Sequence, residues 1–359
     1  MPAARPTGRR DFDDDVPTTP SSRDLPALEA LAEDLTDLAY TVDGVGELLG
    51  APAYAALGRG QLAPALLECR RHLSGSAGAR AVPVLLWLLG EAVGDEDLRA
   101  AFPRLGVPGL EQLRLIEPGA DGGPTSHEER QVTTADGPEA ATRTAADPSA
   151  GRSRHAAVEL RPYGSDTGGG LWVASDLGSE QRPGPLRHDH VLGIGGASLT
   201  LAQTVMRTSV ERALDLGTGC GIQAFHLLSH ARHVTATDIS DRALGFARFN
   251  LLLNARALEI DPQRLGDRVS LRRGSLLEPV EGEGFDLVVS NPPFVITPRT
   301  GRSGEAYTYR DGGLAGDAIV EDLVGTLPGV LAPGGAAQLL GNWEIPEGNA
   351  WDRRVRGFV

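Results

Sequence analysis

The fold is decided by the stretch Ala213-Leu-Asp-Leu-Gly-Thr-Gly-Cys-Gly221, in which an apolar strand runs into three glycines at alternating positions. Glycine has no Cβ, so the backbone can approach a ligand closely here, and the helix that follows offers free amide donors in its first turn. A dinucleotide-binding turn more often has the spacing Gly-x-Gly-x-x-Gly. Asp238 closes the next strand about twenty residues later, where a carboxylate can accept hydrogen bonds from both ribose hydroxyls. The pattern predicts a nucleoside-containing cofactor.

Strand-like and helical runs alternate from about Val191 to the end of the chain, which is typical of a parallel sheet with helices on both faces. The predicted strands cover residues 213–216, 233–238, 269–272, 285–290 and 336–340. The predicted helices cover residues 223–230, 241–254 and 315–327. The fold class is therefore predicted to be α/β, with a Rossmann-like sheet.

A second motif follows the fourth predicted strand, in the stretch Asp286-Leu-Val-Val-Ser-Asn-Pro-Pro-Phe294. An amide or aromatic amine nitrogen is a poor nucleophile because its lone pair is delocalised, so an enzyme that alkylates it must orient its hydrogens. The Asn291 side-chain oxygen and the Pro292 carbonyl can accept one hydrogen each, and Phe294 can stack on the planar group. Carbonyl acceptors suffice, because the nitrogen becomes positive only during transfer. The predicted catalytic residues are Asn291, Pro292, Pro293 and Phe294.

The two motifs together resemble the class I S-adenosylmethionine-dependent methyltransferases, whose glycine loop and second-strand acid match Asp215, Gly217, Gly219, Gly221 and Asp238. The resemblance implies S-adenosylmethionine as cofactor, with the glycines at its methionine half and Asp238 at its ribose. Many relatives carry an Asp that contacts the adenine where this chain has Ser275. The implied cofactor-binding residues are Asp215, Gly217, Thr218, Gly219, Cys220, Gly221, Asp238, Ile239, Ser275, Leu276 and Asn291.

The same family resemblance limits the expected methyl acceptor to a planar nitrogen. Asn-Pro-Pro-aromatic motifs are shared by methyltransferases of protein glutamine and of adenine or guanine amino groups, including small-domain RNA methyltransferases. The stretch Tyr309-Arg-Asp-Gly-Gly-Leu-Ala-Gly-Asp317 resembles release-factor glutamine methyltransferases, although that family usually has Tyr where Phe294 stands. Protein glutamine in a release factor is therefore favoured. An RNA or DNA nucleobase (adenine N6 or guanine N2) is the alternative, and a catalytically inactive cofactor-binding adaptor is less favoured because Asn291 and Pro292 are intact.

Charge and composition restrict the other function classes. A net charge of −14 leaves no general basic field for nucleic acid, although a local arginine patch would still allow binding. The two cysteines, Cys69 and Cys220, make no disulfide framework, which fits a reducing cytoplasm. The longest apolar run, residues 82–89, is less than half of the roughly 20 residues that cross a bilayer, so no membrane segment is predicted. His226 and His230 lack a carboxylate or Cys to complete a metal site, and none is predicted.

The domain organisation is predicted from shifts in composition. Residues 1–23 are predicted to be a disordered acidic tail, 24–117 a helical module, 118–156 a disordered insertion, 157–190 a β-hairpin with a linker, and 191–359 the methyltransferase domain. Helices followed by a hairpin resemble a winged-helix module, which would dock the substrate or merely shield the catalytic domain. Residues 342–359 are too short for the last strands of a class I sheet, so either the chain is a fragment or a sheet edge stays uncovered. None of these features indicates an oligomeric state.

Overall fold

The computed structural model describes residues 11–73, 75, 77–119, 152–164, 170–293, 317–345 and 347–358. The chain divides into two compact units. The helical unit comprises Ala30–Arg161 and Leu177–Pro183. The sheet unit comprises Met1–Glu29, Pro162–Asp176 and Gly184–Val359.

The helical unit packs short helices around a buried aromatic centre. Trp87 is fully buried, with its ring centroid 6.1 Å from that of Tyr40 and 5.4 Å from that of Phe102. The helices are α1 Leu25–Asp37, which begins in the sheet unit, α2 Val42–Leu57, α3 Leu62–Leu73, α4 Gly78–Pro83, α5 Asp95–Ala101 and α6 Gly106–Gln112. A small antiparallel sheet, in the order β1-β3-β2, consists of β1 Val93–Gly94, β2 Ile116–Pro118 and β3 Ser153–Ala156.

The predicted disordered insertion, residues 118–156, is wrong at both of its ends. Pro118 closes strand β2, and Ser153–Ala156 pairs with both β1 and β2. Strand β3 is stabilised by a buried ion pair rather than by an apolar face, because the Arg154 guanidinium donates to Asp95 at 2.8 Å and to Glu111 at 2.5 Å. Composition alone therefore gave no sign of it. Residues 120–151 lie outside the described part of the chain.

The sheet unit is built on five parallel strands in the order β10-β9-β6-β7-β8. The strands are β6 Val210–Leu216, β7 Ala231–Asp238, β8 Val269–Arg273, β9 Phe285–Ser290 and β10 Leu331–Leu339. The chain order reverses between β6 and β9. Ligands of open parallel sheets bind beyond the carboxyl ends of the strands at such a reversal, so the crevice beside Leu216 and Ser290 is the expected site.

Helices alternate with the strands along the sheet unit, and those over residues 222–228 and 241–253 pack against the sheet. They are α7 Gly196–Thr204, α8 Ile222–Leu228, α9 Asp241–Leu253, α10 Ala318–Thr326 and α11 Arg353–Arg356, with 3-10 turns at Pro262–Asp267, Glu278–Val280 and Leu327–Val330. The predicted α/β fold class is confirmed, with all five predicted strands in place. In the described residues after Leu339, α11 is present and no strand follows. Within the described ranges, none of the helices combines the length and the apolar content that a bilayer crossing requires.

The predicted disordered tail, residues 1–23, is wrong for residues 11–23. Phe12 is only 8% exposed, and its N–H donates to the Leu271 carbonyl of the edge strand β8 at 2.6 Å. The buried Arg242 guanidinium donates to the Thr18 carbonyl and hydroxyl oxygens, both at 3.0 Å. The segment therefore covers one edge of the sheet, which otherwise exposes unpaired backbone groups. Its contacts are mostly polar, so hydrophobic patterning did not reveal them.

The two strands of the predicted β-hairpin are present as β4 Glu159–Gly164 and β5 Gly170–Ser175, which pair in a two-stranded sheet. The predicted hairpin and linker, residues 157–190, are shared between the two units rather than forming a segment of their own, because 162–176 and 184–190 belong to the sheet unit. The resemblance to a winged-helix module stays a prediction.

Candidate active site

The turn between β6 and α8, residues 215–221, is called here the cofactor loop. Gly217, Gly219 and Gly221 have φ angles of +74°, +56° and +93°, which side chains other than glycine rarely adopt. A Cβ added at Gly217 or Gly219 would meet no atom of the described residues within 4 Å. These two glycines are therefore required by the backbone conformation, and no described atom occupies the space beside them.

Asp215 stabilises the cofactor loop from inside the protein. It is fully buried, and its Oδ2 accepts hydrogen bonds from the Thr218 hydroxyl at 2.6 Å and from the Ala224 N–H at 3.0 Å. Burial raises the pKa of Asp215 to about 7. Asp215 is one of the predicted cofactor-binding residues. Because its carboxylate is enclosed, its contribution is to hold the conformation of the loop.

Asp238 lies at the carboxyl end of β7 and contacts the loop from the side. Its Oδ2 accepts from the Gly219 N–H at 3.0 Å and its Oδ1 from the Ser240 N–H at 2.9 Å. Burial raises the pKa of this carboxyl group. Each carboxylate oxygen has a second lone pair, so ribose hydroxyls can still donate to it. The neighbouring Ile239 is 53% exposed and offers an apolar surface beside the carboxylate.

Ser275 and Leu276 follow β8 and lie at the same edge of the sheet. The Gly274 N–H donates to the Asp238 carbonyl at 3.0 Å, which joins the ends of β7 and β8. Leu276 has a φ of +45°, a left-handed conformation that is uncommon for a non-glycine residue. The Ser275 N–H donates to Glu278 Oε2 at 3.4 Å. The structure thus brings the predicted adenine-side residues next to Asp238.

Asn291 directly follows β9, beside the central strand β6. The Ser290 hydroxyl donates to the Leu216 carbonyl at 2.8 Å and holds the two strand ends together. The Asn291 Nδ2 donates to the Ser198 hydroxyl oxygen of α7 at 3.4 Å. Its Oδ1 is buried and has no hydrogen-bond partner among the described residues. A buried carbonyl oxygen without a donor costs about 1–3 kcal/mol, so this atom is suited to receive a donor from a ligand.

Two residues of this crevice were missed by sequence reasoning. Gln223, in the first turn of α8, is 5% exposed, and its Nε2 donates to the Ser198 carbonyl at 2.8 Å. Its Oε1 is also buried and finds no partner within the described ranges. The second missed residue is Ser198. The sequence signal for both residues was their position alone, because Ser198 and Gln223 each follow a glycine turn at the start of a helix.

Several predicted residues lie elsewhere or outside the described residues. Pro292 is buried and Pro293 is half-buried, whereas Phe294 lies outside the described residues. Of the stretch from Tyr309 to Asp317, only Asp317 is described. It is buried in an ion pair with Arg354, which holds the pKa of that carboxyl below its usual range.

The histidines weighed as metal ligands hydrogen-bond to other protein groups. His226 Nε2 lies 2.5 Å from the Tyr163 hydroxyl, and His230 Nδ1 lies 3.1 Å from the Thr208 carbonyl oxygen. Both imidazoles are therefore held in the packing of the sheet unit.

The parallel sheet, its glycine loop and Asp238 at the end of β7 match the arrangement that the resemblance to class I methyltransferases implies. Residues 192–304 match the family model described as "Methyltransferase small domain", which confirms the predicted class for this part of the chain. Residues 37–126 match a second family model, described as "Domain of unknown function (DUF7059)".

Curated relatives are similar over part of the chain. A ribosomal protein uL3 glutamine methyltransferase from Bradyrhizobium diazoefficiens is 32% identical over 160 residues, covering 42% of this chain and 46% of the relative. A release factor glutamine methyltransferase from Bordetella pertussis is 33% identical over 147 residues, covering 39% and 50%. Another release factor glutamine methyltransferase, from Moorella thermoacetica, is 39% identical over 134 residues, covering 35% and 44%. The chain thus spans about half the length of the curated relatives that it matches.

Proposed function

We propose that this protein transfers a methyl group from S-adenosylmethionine to the side-chain amide nitrogen of a glutamine in a protein of the translation machinery. The observation that carries the proposal is the Asn291 Oδ1 atom, which is buried without a hydrogen-bond partner among the described residues, next to the end of β9. An amide oxygen held in this way accepts an N–H from a substrate.

The cofactor loop fits S-adenosylmethionine. No described atom lies within 4 Å of a Cβ built on Gly217 or Gly219, and Asp238 offers carboxylate oxygens for the ribose hydroxyls. The bound cofactor supplies a methyl group on positively charged sulfur, so the protein needs no nucleophile of its own.

Asn291 addresses the weak point of the reaction, which is the poor nucleophilicity of an amide nitrogen. Its Oδ1 accepts one substrate N–H and so turns the nitrogen lone pair toward the methyl group. The N–C bond forms as the C–S bond breaks, and the positive charge of the sulfur passes to the nitrogen, which then loses one proton to water. The N–H becomes more polar as charge develops, so its hydrogen bond to Asn291 strengthens in the transition state.

Two observations support protein glutamine as the substrate. The relatives are named for glutamine methylation of ribosomal protein uL3 and of release factors, at 32–39% identity. The net charge of −14 gives the chain no general attraction for the phosphates of nucleic acid. Both named substrates belong to translation, so the proposal keeps the predicted cytoplasmic location.

The proposal is tested by incubating the purified chain with tritium-labelled S-adenosylmethionine and, separately, with recombinant uL3, a release factor and total RNA. We expect label in one of the proteins, with mass spectrometry placing a single methyl group on a glutamine, and a rate of labelling at least about a hundredfold lower with Asn291→Ala. Label that is sensitive to nuclease would instead establish a nucleobase methyltransferase. Cofactor binding without transfer to any substrate, including a whole-cell extract, would establish the adaptor and overturn the proposal.

A further inference from the structure

Strand β5 is paired on one side by two asparagine side chains instead of another strand. Asn250 Oδ1 accepts from the Ala174 N–H at 2.7 Å, and its Nδ2 donates to the Ala174 carbonyl at 2.9 Å. Asn254 repeats this pattern at Trp172, with distances of 2.9 Å and 2.7 Å. Both asparagines are buried. Each amide therefore replaces the backbone of a missing neighbouring strand.

The match follows from the spacing of the two elements. Residues four apart on an α-helix are separated by about 6 Å along its axis. Alternate residues of a strand are separated by about 6.6 Å, and their backbone groups point to the same side. Asn250 and Asn254 on α9 and its C-cap can thus contact Ala174 and Trp172 in register.

Asn250 has one contact that Asn254 lacks, and this contact is with the cofactor loop. Its second Nδ2 hydrogen is donated to the Cys220 carbonyl at 2.9 Å. The N–H at the other side of that peptide group, on Gly221, donates to the Thr218 carbonyl at 2.9 Å. The peptide plane between Cys220 and Gly221 is therefore fixed at both ends. In Asn254 the corresponding hydrogen is donated to the Asn250 carbonyl at 2.7 Å, within the helix.

A second contact shows that the same face of α9 supports the loop. A Cβ on Gly221 would lie 3.5 Å from Ala247, one turn before Asn250. The loop is thus packed against Ala247 and hydrogen-bonded to Asn250 along one side of the helix.

We propose that Asn250 is a positioning residue of the cofactor loop, which links strand β5 to the cofactor site, whereas Asn254 only docks the strand. Losing the Cys220 contact frees the peptide plane and lets the loop leave the conformation that binds the cofactor. The inference relies on the S-adenosylmethionine binding of the proposed function, but its test includes a measurement that needs no cofactor.

The test compares Asn250→Asp with Asn254→Asp in the full chain, and Asn250→Ala with Asn254→Ala as a second pair that adds no buried charge. Each aspartate keeps the acceptor for the strand N–H and loses two donated hydrogen bonds, so the members of a pair differ in the loop contact. Calorimetry measures the melting temperature and the dissociation constant of S-adenosylmethionine, and hydrogen exchange measures protection of the peptide that covers residues 215–221.

We expect comparable losses of melting temperature within each pair. The Asn250 variants should weaken the cofactor by about tenfold and speed exchange in the cofactor loop, whereas the Asn254 variants change affinity by less than about twofold. Equal effects of the two positions on affinity and exchange would overturn the inference, as would an unchanged loop in both Asn250 variants. If the wild-type chain bound no S-adenosylmethionine, the proposed function would fail, and the exchange data would still decide the role of Asn250.

Discussion

Replacing Asn291 by alanine should separate methyl transfer from cofactor binding. The change removes the buried Oδ1 acceptor, which has no partner among the described residues, and the Nδ2 group that donates to Ser198; no contact of Asn291 with the cofactor loop is described. An acceptor that acts chiefly in the transition state is worth about 3–4 kcal/mol, so kcat should fall by about a hundredfold to a thousandfold. The dissociation constant of S-adenosylmethionine should change by less than about threefold.

Single-turnover transfer of labelled methyl groups to the identified substrate, combined with calorimetry of cofactor binding, measures both quantities. Ser198→Ala is the matched control, because it removes the 3.4 Å contact to Asn291 and leaves the Oδ1 acceptor in place. Its loss should be about tenfold or less, the value of one neutral hydrogen bond. Asn291→Asp should retain partial activity, since a carboxylate still accepts the N–H. Full transfer by Asn291→Ala would show that the motif is only a turn, and a loss explained wholly by weaker cofactor binding would also refute the reasoning.

Three further outcomes are expected. Asp238→Ala should weaken S-adenosylmethionine by about tenfold or more, because it removes the proposed ribose acceptors and the contact to Gly219; unchanged affinity in calorimetry would remove Asp238 from the site. Burial raises the pKa of Asp215 from 3.8 to about 7. Between these two values the folded state holds a proton that the unfolded state releases. The free energy of unfolding should therefore fall as pH rises from about 4 to about 7 and level off above that. Asp215→Asn should remove part of this slope in urea titrations at several pH values, and an unchanged slope would contradict it. Replacing residues 120–151 by a short Gly-Ser linker should change the melting temperature by less than about two degrees, because the stretch is poor in large apolar residues. The two ends of the linker would start close together, since the Gly119 N–H donates to the Ser153 carbonyl at 2.9 Å. A larger drop in melting temperature would show that the stretch packs.

The parallel sheet and the cofactor loop were predictable because their signals are local. Alternation of apolar strands with helices and the spacing of Gly217, Gly219 and Gly221 each lie within a few residues. All three glycines have positive φ angles, which glycine adopts without the steric cost that a Cβ brings. Asp238 was also locatable, because an acid at the end of the second strand meets the loop in this topology.

Features that depend on partners distant in sequence were not predictable. Asn250 contacts Ala174, which lies 76 residues away, and helical periodicity alone places it simply on a buried face. Strand β3 depends on an ion pair between Arg154 and Asp95, and residues 11–23 depend on polar contacts with Arg242. In each case polar or charged groups replace apolar surface, so composition indicates disorder where the structure has order.

Buried side-chain amides separate into two groups by their hydrogen bonding, and the difference points to function. The amides of Asn250 and Asn254 each accept one hydrogen bond and donate two, all within the folded chain. Asn291 and Gln223 each donate to Ser198 and leave a buried oxygen without a donor among the described residues. A protein gains nothing in stability from such an oxygen, because its desolvation is not compensated. An amide oxygen without a donor therefore distinguishes the buried amides that remain available to a ligand from those that only complete the fold. Among the described residues, the two amides with such an oxygen, Asn291 and Gln223, both donate to Ser198.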